Sequence, residues 1–280
     1  MSGMLQPPSP TWFIGCGNMG GAIIEGWRAG GMELGSLTVI RPSGKPVEGI
    51  ATVSSFAEAG AAPKLAVLAF KPQKLDEVAP ALRQFLSSKT AIVSLLAGVE
   101  AASLRQRFPG AGVIVRAMPN LPVAVRRGVT GLYTEDADQG VRQQVNDLFS
   151  ALGFTMWMAD EAKLAALGSV AGAGPAYVAR FISALSKAGQ QRGLTPEIAD
   201  IIARETVLGT AWMAAGTGEG MESVAKRVAS PKGTTEAGLA VLDGEGALDD
   251  LVAATINAAS ARGAELAAEA RELAESPRLA

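Results

Sequence analysis

The chain has 280 residues, with 25 Lys+Arg against 27 Asp+Glu, one cysteine and no histidine. At roughly 150 residues per domain the length favours two domains, and a net charge of −2 lacks the basic excess of a nucleic-acid protein. Without histidine there is no Ser–His triad, Cys–His dyad or His-ligated metal, and one cysteine allows no internal disulfide.

Hydrophobic residues make up 48% and charged residues 19%, the balance of a globular chain. Residues 1–10 hold three prolines and no Lys or Arg, so no secretory leader is expected. The uncharged stretch of most interest, Leu164 to Ala179, is broken by Gly168, Gly172, Gly174 and Pro175, and reads as no membrane span. The lone Cys16 is consistent with a reducing compartment, and a cytoplasmic location is expected.

In chain order, Trp12 to Ile14 reads as a strand, followed by a glycine turn and a helix over Ala22 to Ala29. Leu37 to Ile40 is the next strand. Leu65 to Phe70 is a continuous apolar run, as in a strand covered on both faces. A helix over Leu75 to Leu86, a strand over Ala91 to Leu95 and a helix over Ala101 to Phe108 follow. Val113 to Val115 and Val129 to Tyr133 read as strands, Val141 to Leu152 as a helix and Phe154 to Trp157 as a last strand. Strands alternating with helices predict βαβ units and a mainly parallel sheet.

The pattern changes near Asp160. Beyond it no strand is expected, and apolar residues recur at helical spacing around Tyr177 to Leu185, Ile198 to Trp212 and Leu248 to Ile256. Thr195-Pro196-Glu197 is a helix start. The predicted fold is α/β, with a Rossmann-like domain over 1–160 and an all-helical domain over 161–280.

Gly15-Cys16-Gly17-Asn18-Met19-Gly20 matches G-x-G-x-x-G. In a glycine-rich chain of this length chance gives about 0.45 such matches, so position decides. Here the motif follows the first strand and opens the first helix, where it suits a pyrophosphate at a helix N-terminus. An acidic residue after the second strand would bind the ribose of NAD. The chain instead reads Arg41-Pro42-Ser43-Gly44-Lys45, whose basic and hydroxyl groups suit a 2′-phosphate. NADP(H) is the expected cofactor, with NAD(H) the alternative.

Four further motifs keep the order of one family: Ala69-Phe70-Lys71-Pro72-Gln73, Met118-Pro119-Asn120-Leu121-Pro122, Gly172-Ala173-Gly174-Pro175-Ala176-Tyr177 and Ser230-Pro231-Lys232-Gly233-Thr234-Thr235. With the glycine motif, they resemble pyrroline-5-carboxylate reductase from residue 12 to about 270. The departures are Lys232, Ala173 and Leu121, where the family commonly has Gly, Ser and Thr, and Ser54-Ser55-Phe56, where it often has Asn.

The resemblance implies NAD(P)H-dependent reduction of 1-pyrroline-5-carboxylate to proline. It implies that Ala69, Phe70, Lys71 and Pro72 line the cofactor, with Leu95, Leu96 and Ala97 bordering the nucleotide. Asn120 is expected to hydrogen-bond the carboxamide or a neighbouring backbone group. The loop of Ser230, Gly233, Thr234 and Thr235 is expected to hold the substrate carboxylate, with Thr234 or Thr235 capping the next helix. Thr235 is the expected contact to the ring nitrogen. Glu161 would face a cationic imine or simply favour a helix N-terminus. The helical domain is expected to form a homodimer or higher homo-oligomer, with no nucleic-acid or membrane partner. The rivals are another NADP-dependent imine or β-hydroxyacid oxidoreductase, whose base the lysines Lys163, Lys187, Lys226 or Lys232 could supply, and a non-catalytic NADP sensor.

Overall fold

The structure is a computed structural model that describes residues 5–275. Residues 1–4 and 276–280, which fall within the two expected domains, lie outside the described residues. By contacts the chain forms two compact units. One runs to Ala173 and resumes at Ala259, and the other is Gly174–Ala258. The sequence pattern turns helical at residue 160, but α5 (Glu161–Leu167) packs with the sheet unit, where a Cβ at Gly131 would stand 2.9 Å from Leu164 Cδ1.

The first unit holds β1 (Thr11–Ile14), β2 (Leu37–Ile40), β3 (Ala51–Val53), β4 (Leu65–Leu68), β5 (Ala91–Ser94), β6 (Val113–Pro119), β7 (Gly128–Tyr133) and β8 (Gly153–Trp157). They form one sheet in the order β3-β2-β1-β4-β5-β6-β7-β8. Strands β1 to β6 run parallel, β7 is antiparallel to β6, and β8 is parallel to β7. The first six keep the doubly wound order that reverses between β1 and β4.

Alternation along β1 explains the two cores. Phe13 points to one face, with Trp27 of α1 (Asn18–Ala29) and Phe149 of α4 (Gln139–Ser150). Trp12 and Ile14 point to the other, with Leu82 of α2 (Leu75–Leu82) and Leu104 of α3 (Ala101–Arg107). Period-two geometry forces this division. Phe13 is 0% exposed, and burying such a side chain contributes about 3 kcal/mol. The Trp27 indole N–H donates to the Leu148 carbonyl at 2.8 Å, so its polar edge is satisfied inside the core. Gly26 lets α1 approach the 121–125 turn, since a Cβ there would stand 2.1 Å from the Val123 carbonyl oxygen.

The second unit contains α6 (Gly174–Gln191), α7 (Pro196–Thr217), α8 (Met221–Val228), α9 (Thr234–Leu242) and the start of α10 (Ala247–Glu275). Thr195 caps α7 by accepting from the Ile198 N–H, with Pro196 at the first position. Between α6 and α7 the buried residues are small: Ala199, Ala203 and Ser186. The large apolar side chains Phe181, Ile201, Ile202, Leu208 and Leu251 are each about half exposed or more. From Ala259 on, α10 belongs to the first unit, where Leu266 and Ala267 backbone atoms lie 3.3 Å from a Cβ placed at Gly98. Among the described residues no helix is long and apolar enough to cross a membrane, and no cluster could hold a metal ion.

Candidate cofactor and substrate site

At the carboxyl end of β1 the chain must turn sharply beside β4. Gly15 does so with φ +83°, and a Cβ there would stand 2.7 Å from the Ala69 carbonyl oxygen. Gly20 is buried one turn into α1, where a Cβ would meet Phe13 Cε1 at 2.9 Å. Gly17 and Asn18 are exposed, and nothing lies within 4 Å of a Cβ at Gly17. Gly17 is also the N-cap of α1, with no side chain bonded to it and no acidic residue in the first turn. Free N–H groups at an open helix start suit an anion.

Arg41 leaves the end of β2 and folds toward this loop. Its Nη1 donates to the Cys16 carbonyl at 3.1 Å. Its Nε is buried with no hydrogen-bond partner among the described residues. Ser43 is exposed, and its hydroxyl accepts from the Lys45 N–H at 3.4 Å. The uncapped helix, the open glycine and the orphaned guanidinium N–H together fit a phosphorylated dinucleotide. Cys16 contributes its backbone, and burial pushes its thiol pKa up although Arg41 pulls the other way.

The ends of β4 and β5 complete this edge. Ala69 and Phe70 are half-buried, Lys71 is exposed, and Pro72 opens a short 3-10 turn. Leu95 is half-buried, Leu96 is buried in the core, and Ala97 is exposed. A cavity of about 210 Å³ lies beside Pro72 and Ala97, closed by Asp76, Arg107 and Leu266.

The loop before α9 differs from expectation in one respect. Neither threonine caps the helix. Gly233 is the N-cap, without a side-chain bond, and Thr234 and Thr235 are its first two helical residues. The reason is local. The Gly233 N–H donates to the Ser230 carbonyl at 2.9 Å, which starts the helix one residue before either hydroxyl could cap it. A Cβ at Gly233 would stand 2.7 Å from Ser230 Oγ. Lys232 adopts φ +61°, a left-handed conformation that costs a residue with a Cβ about 1–2 kcal/mol. Its N–H is held by Glu236 Oε2 at 2.6 Å. Both Thr hydroxyls stay free of partners among the described residues of this unit, with Thr234 exposed and Thr235 half-buried.

Two expected contact residues have partners within the fold. Asn120 is buried, its Oδ1 accepts from the Val129 N–H at 2.8 Å, and its Nδ2 donates to the Ala171 carbonyl at 3.0 Å. Both partners are backbone groups, one of the two kinds of contact expected for it. Glu161 opens α5, accepts from the Ala101 N–H at 2.9 Å, and forms an ion pair with Arg116, whose side chain is 7% exposed. Its carboxylate thus has an opposite charge and a backbone N–H as partners within the fold. Arg116 was not singled out from the sequence.

Residues 161–266 match the family model for pyrroline-5-carboxylate reductase dimerisation. Residues 12–98 match the model described as NADP oxidoreductase, coenzyme F420-dependent. The pyrroline-5-carboxylate reductase of Pseudomonas aeruginosa is 37% identical over 262 residues, 91% of this chain and 96% of the relative. The chain belongs to the pyrroline-5-carboxylate reductase family.

Solved structures agree. A pyrroline-5-carboxylate reductase from Coxiella burnetii superposes with a TM-score of 0.83 at 32% identity, covering 93% of this chain and 99% of that one. The pyrroline carboxylate reductase of Plasmodium falciparum, solved with NADP bound, gives 0.84 at 25% identity, covering 95% and 100%. The five motifs that suggested the pyrroline-5-carboxylate reductase family therefore lie in a chain related to it over nearly its whole length.

Proposed function

We propose that the protein reduces 1-pyrroline-5-carboxylate to L-proline, the last step of proline biosynthesis, with NADPH as the preferred reductant. The supporting observation is the free-donor set around Arg41 and Gly17 in a chain of this family. When bound, NADPH supplies the hydride for the C=N carbon. In this reading the first turn of α1 holds the pyrophosphate, and Arg41 and Ser43 hold the 2′-phosphate. Ala69 to Pro72 and Leu95 to Ala97 wall the nucleotide.

Ser230, Gly233 and Thr234 hold the substrate carboxylate through the uncapped start of α9, and the Thr235 hydroxyl contacts the ring nitrogen. A protonated cyclic imine is already activated, so orientation carries most of the catalysis and no histidine is required. The lone cysteine supports a cytoplasmic location.

The deciding assay follows NADPH oxidation with pyrroline-5-carboxylate against 3-hydroxy acids. Turnover with the hydroxy acids alone would select the rival oxidoreductase, and tight NADPH binding with no turnover of either would select the sensor.

Arg41→Ala is expected to weaken NADPH at least tenfold more than NADH, the scale of a lost charge-assisted contact. Equal losses for both cofactors would remove Arg41 from the 2′-phosphate. Thr235→Val keeps the volume and removes the hydroxyl. It is expected to lower kcat/KM by about tenfold or more, with NADPH affinity unchanged. An unaltered kcat/KM would leave Thr235 a packing residue.

The half-exposed Phe181, Ile201, Leu208 and Leu251 favour a homodimer or larger assembly, since a lone chain rarely leaves this much apolar surface in water. Light scattering should give at least twice the 28.6 kDa of one chain. A 28.6 kDa species with full activity would rule assembly out as a requirement.

A further inference from the structure

Three residues alternate along the end of β6 and share one face: Arg116, Met118 and Asn120. Each meets the same stretch of chain. Arg116 pairs with Glu161 at the start of α5. A Cβ at Gly168 would stand 3.4 Å from Met118 Cε, so the thioether lies flat against that glycine. Asn120 donates to the carbonyl of Ala171. The register extends to β7. Gly131 pairs with Met118, and its missing side chain makes room for Leu164 and Leu167 of α5.

The stretch so held ends in a π-helical turn, Gly168–Gly172. Such turns are uncommon and cluster at functional sites. Asn120 fastens this one while its Oδ1 and backbone N–H bond Val129, which ties the turn to the rigid β6–β7 pair. The two partners also fix the amide orientation, because a backbone N–H needs the oxygen and a carbonyl needs the nitrogen. The clip lies at the carboxyl end of β6. That strand is parallel to β5, β4 and β1, so the clip shares a sheet edge with Gly15 and Ala97.

We infer that Asn120 is a positioning residue for hydride transfer, acting through the Ala171 carbonyl to hold the π-turn, and that it does not contact the cofactor. The inference rests on the reductase reading for its kinetic consequence, and on the hydrogen bonds alone for its structural one. Displacing the backbone at the reacting edge by an ångström costs turnover without costing cofactor affinity.

Asn120→Asp is the test, because it keeps the shape and the acceptor for Val129 and sets an oxygen against the Ala171 carbonyl. The expected result is a fall in kcat, per folded molecule, of about tenfold or more, with the NADPH Kd within about threefold. Hydrogen exchange measured by mass spectrometry should quicken in peptides covering 164–173 and stay unchanged in those covering β1 and α1.

A rise in the NADPH Kd that matches the kinetic loss would make Asn120 a cofactor contact and overturn the inference. An unchanged kcat would overturn it as well. If the variant does not fold, Met118→Leu probes the same face at nearly constant volume, with an expected two- to fivefold loss in kcat and an unchanged Kd, roughly. If the wild-type chain binds NADPH but does not reduce the imine, the reductase reading fails, and the exchange data alone then judge the clip.

Discussion

Gly15→Ala is expected to raise the NADPH Kd by about a hundredfold while the fold survives. Two effects add. The alanine would be held at φ +83°, which L side chains resist by about 1–2 kcal/mol. Its methyl would also stand 2.7 Å from the Ala69 carbonyl oxygen and 3.0 Å from Phe70 Cβ, atoms of the next strand's end. Relief requires the carboxyl ends of β1 and β4 to separate, and that crevice is where a doubly wound sheet binds its ligand. Isothermal titration with NADPH, beside circular dichroism, checks both halves. A Kd within threefold of wild type would show that the crevice tolerates the extra carbon and would separate this loop from cofactor binding.

Glu161→Ala should cost about 3 kcal/mol of stability, the lower end of the range for breaking a buried ion pair. Arg116 is 7% exposed and would keep its charge with no carboxylate beside it, and the Ala101 N–H at the start of α3 would lose its acceptor. The lower end is chosen because Glu161 is itself 25% exposed and water can partly replace it. Urea unfolding should show a lower midpoint at unchanged slope. Arg116→Met combined with Glu161→Ala should recover part of the loss, because the stranded charge is gone. A loss below 1 kcal/mol for the single variant would mean that the pair is solvated in solution.

The same pair explains what could be read from the sequence and what could not. The parallel strands were legible because both faces are covered, so Leu65 to Leu68 is apolar throughout. Strand β6 looked three residues long because Arg116 interrupts its apolar run. It continues to Pro119 because Glu161, forty-five positions away, takes up that charge. No local pattern reports a partner so distant.

Strand β3 was missed because it has three residues on an exposed edge, too few for any period. Helix α8 was missed for a related reason: its eight residues bury only Val224. In the site, the position of the glycine loop at a strand end and a helix start was legible because it is local, with Gly15 at φ +83° and Gly17 as N-cap. The particular partners of Asn120 and Glu161 were not, since the Ala171 carbonyl and the Ala101 N–H lie 51 and 60 positions away in the chain. The cap of α9 falls on Gly233, ahead of both expected threonines, because the bond from the Gly233 N–H to Ser230 decides where the helix starts.

The path of α10 orders events on the ribosome. The chain leaves the sheet unit after Ala173 and re-enters it at Ala259, inside one unbroken helix. The helical unit is thus inserted within the sheet unit, not appended to it. All eight strands emerge before the first residue of α6, yet the backbone that packs on Gly98, just after β5, is translated near the end. Although it contains the amino terminus, the nucleotide-binding unit is therefore the second of the two to be finished during synthesis.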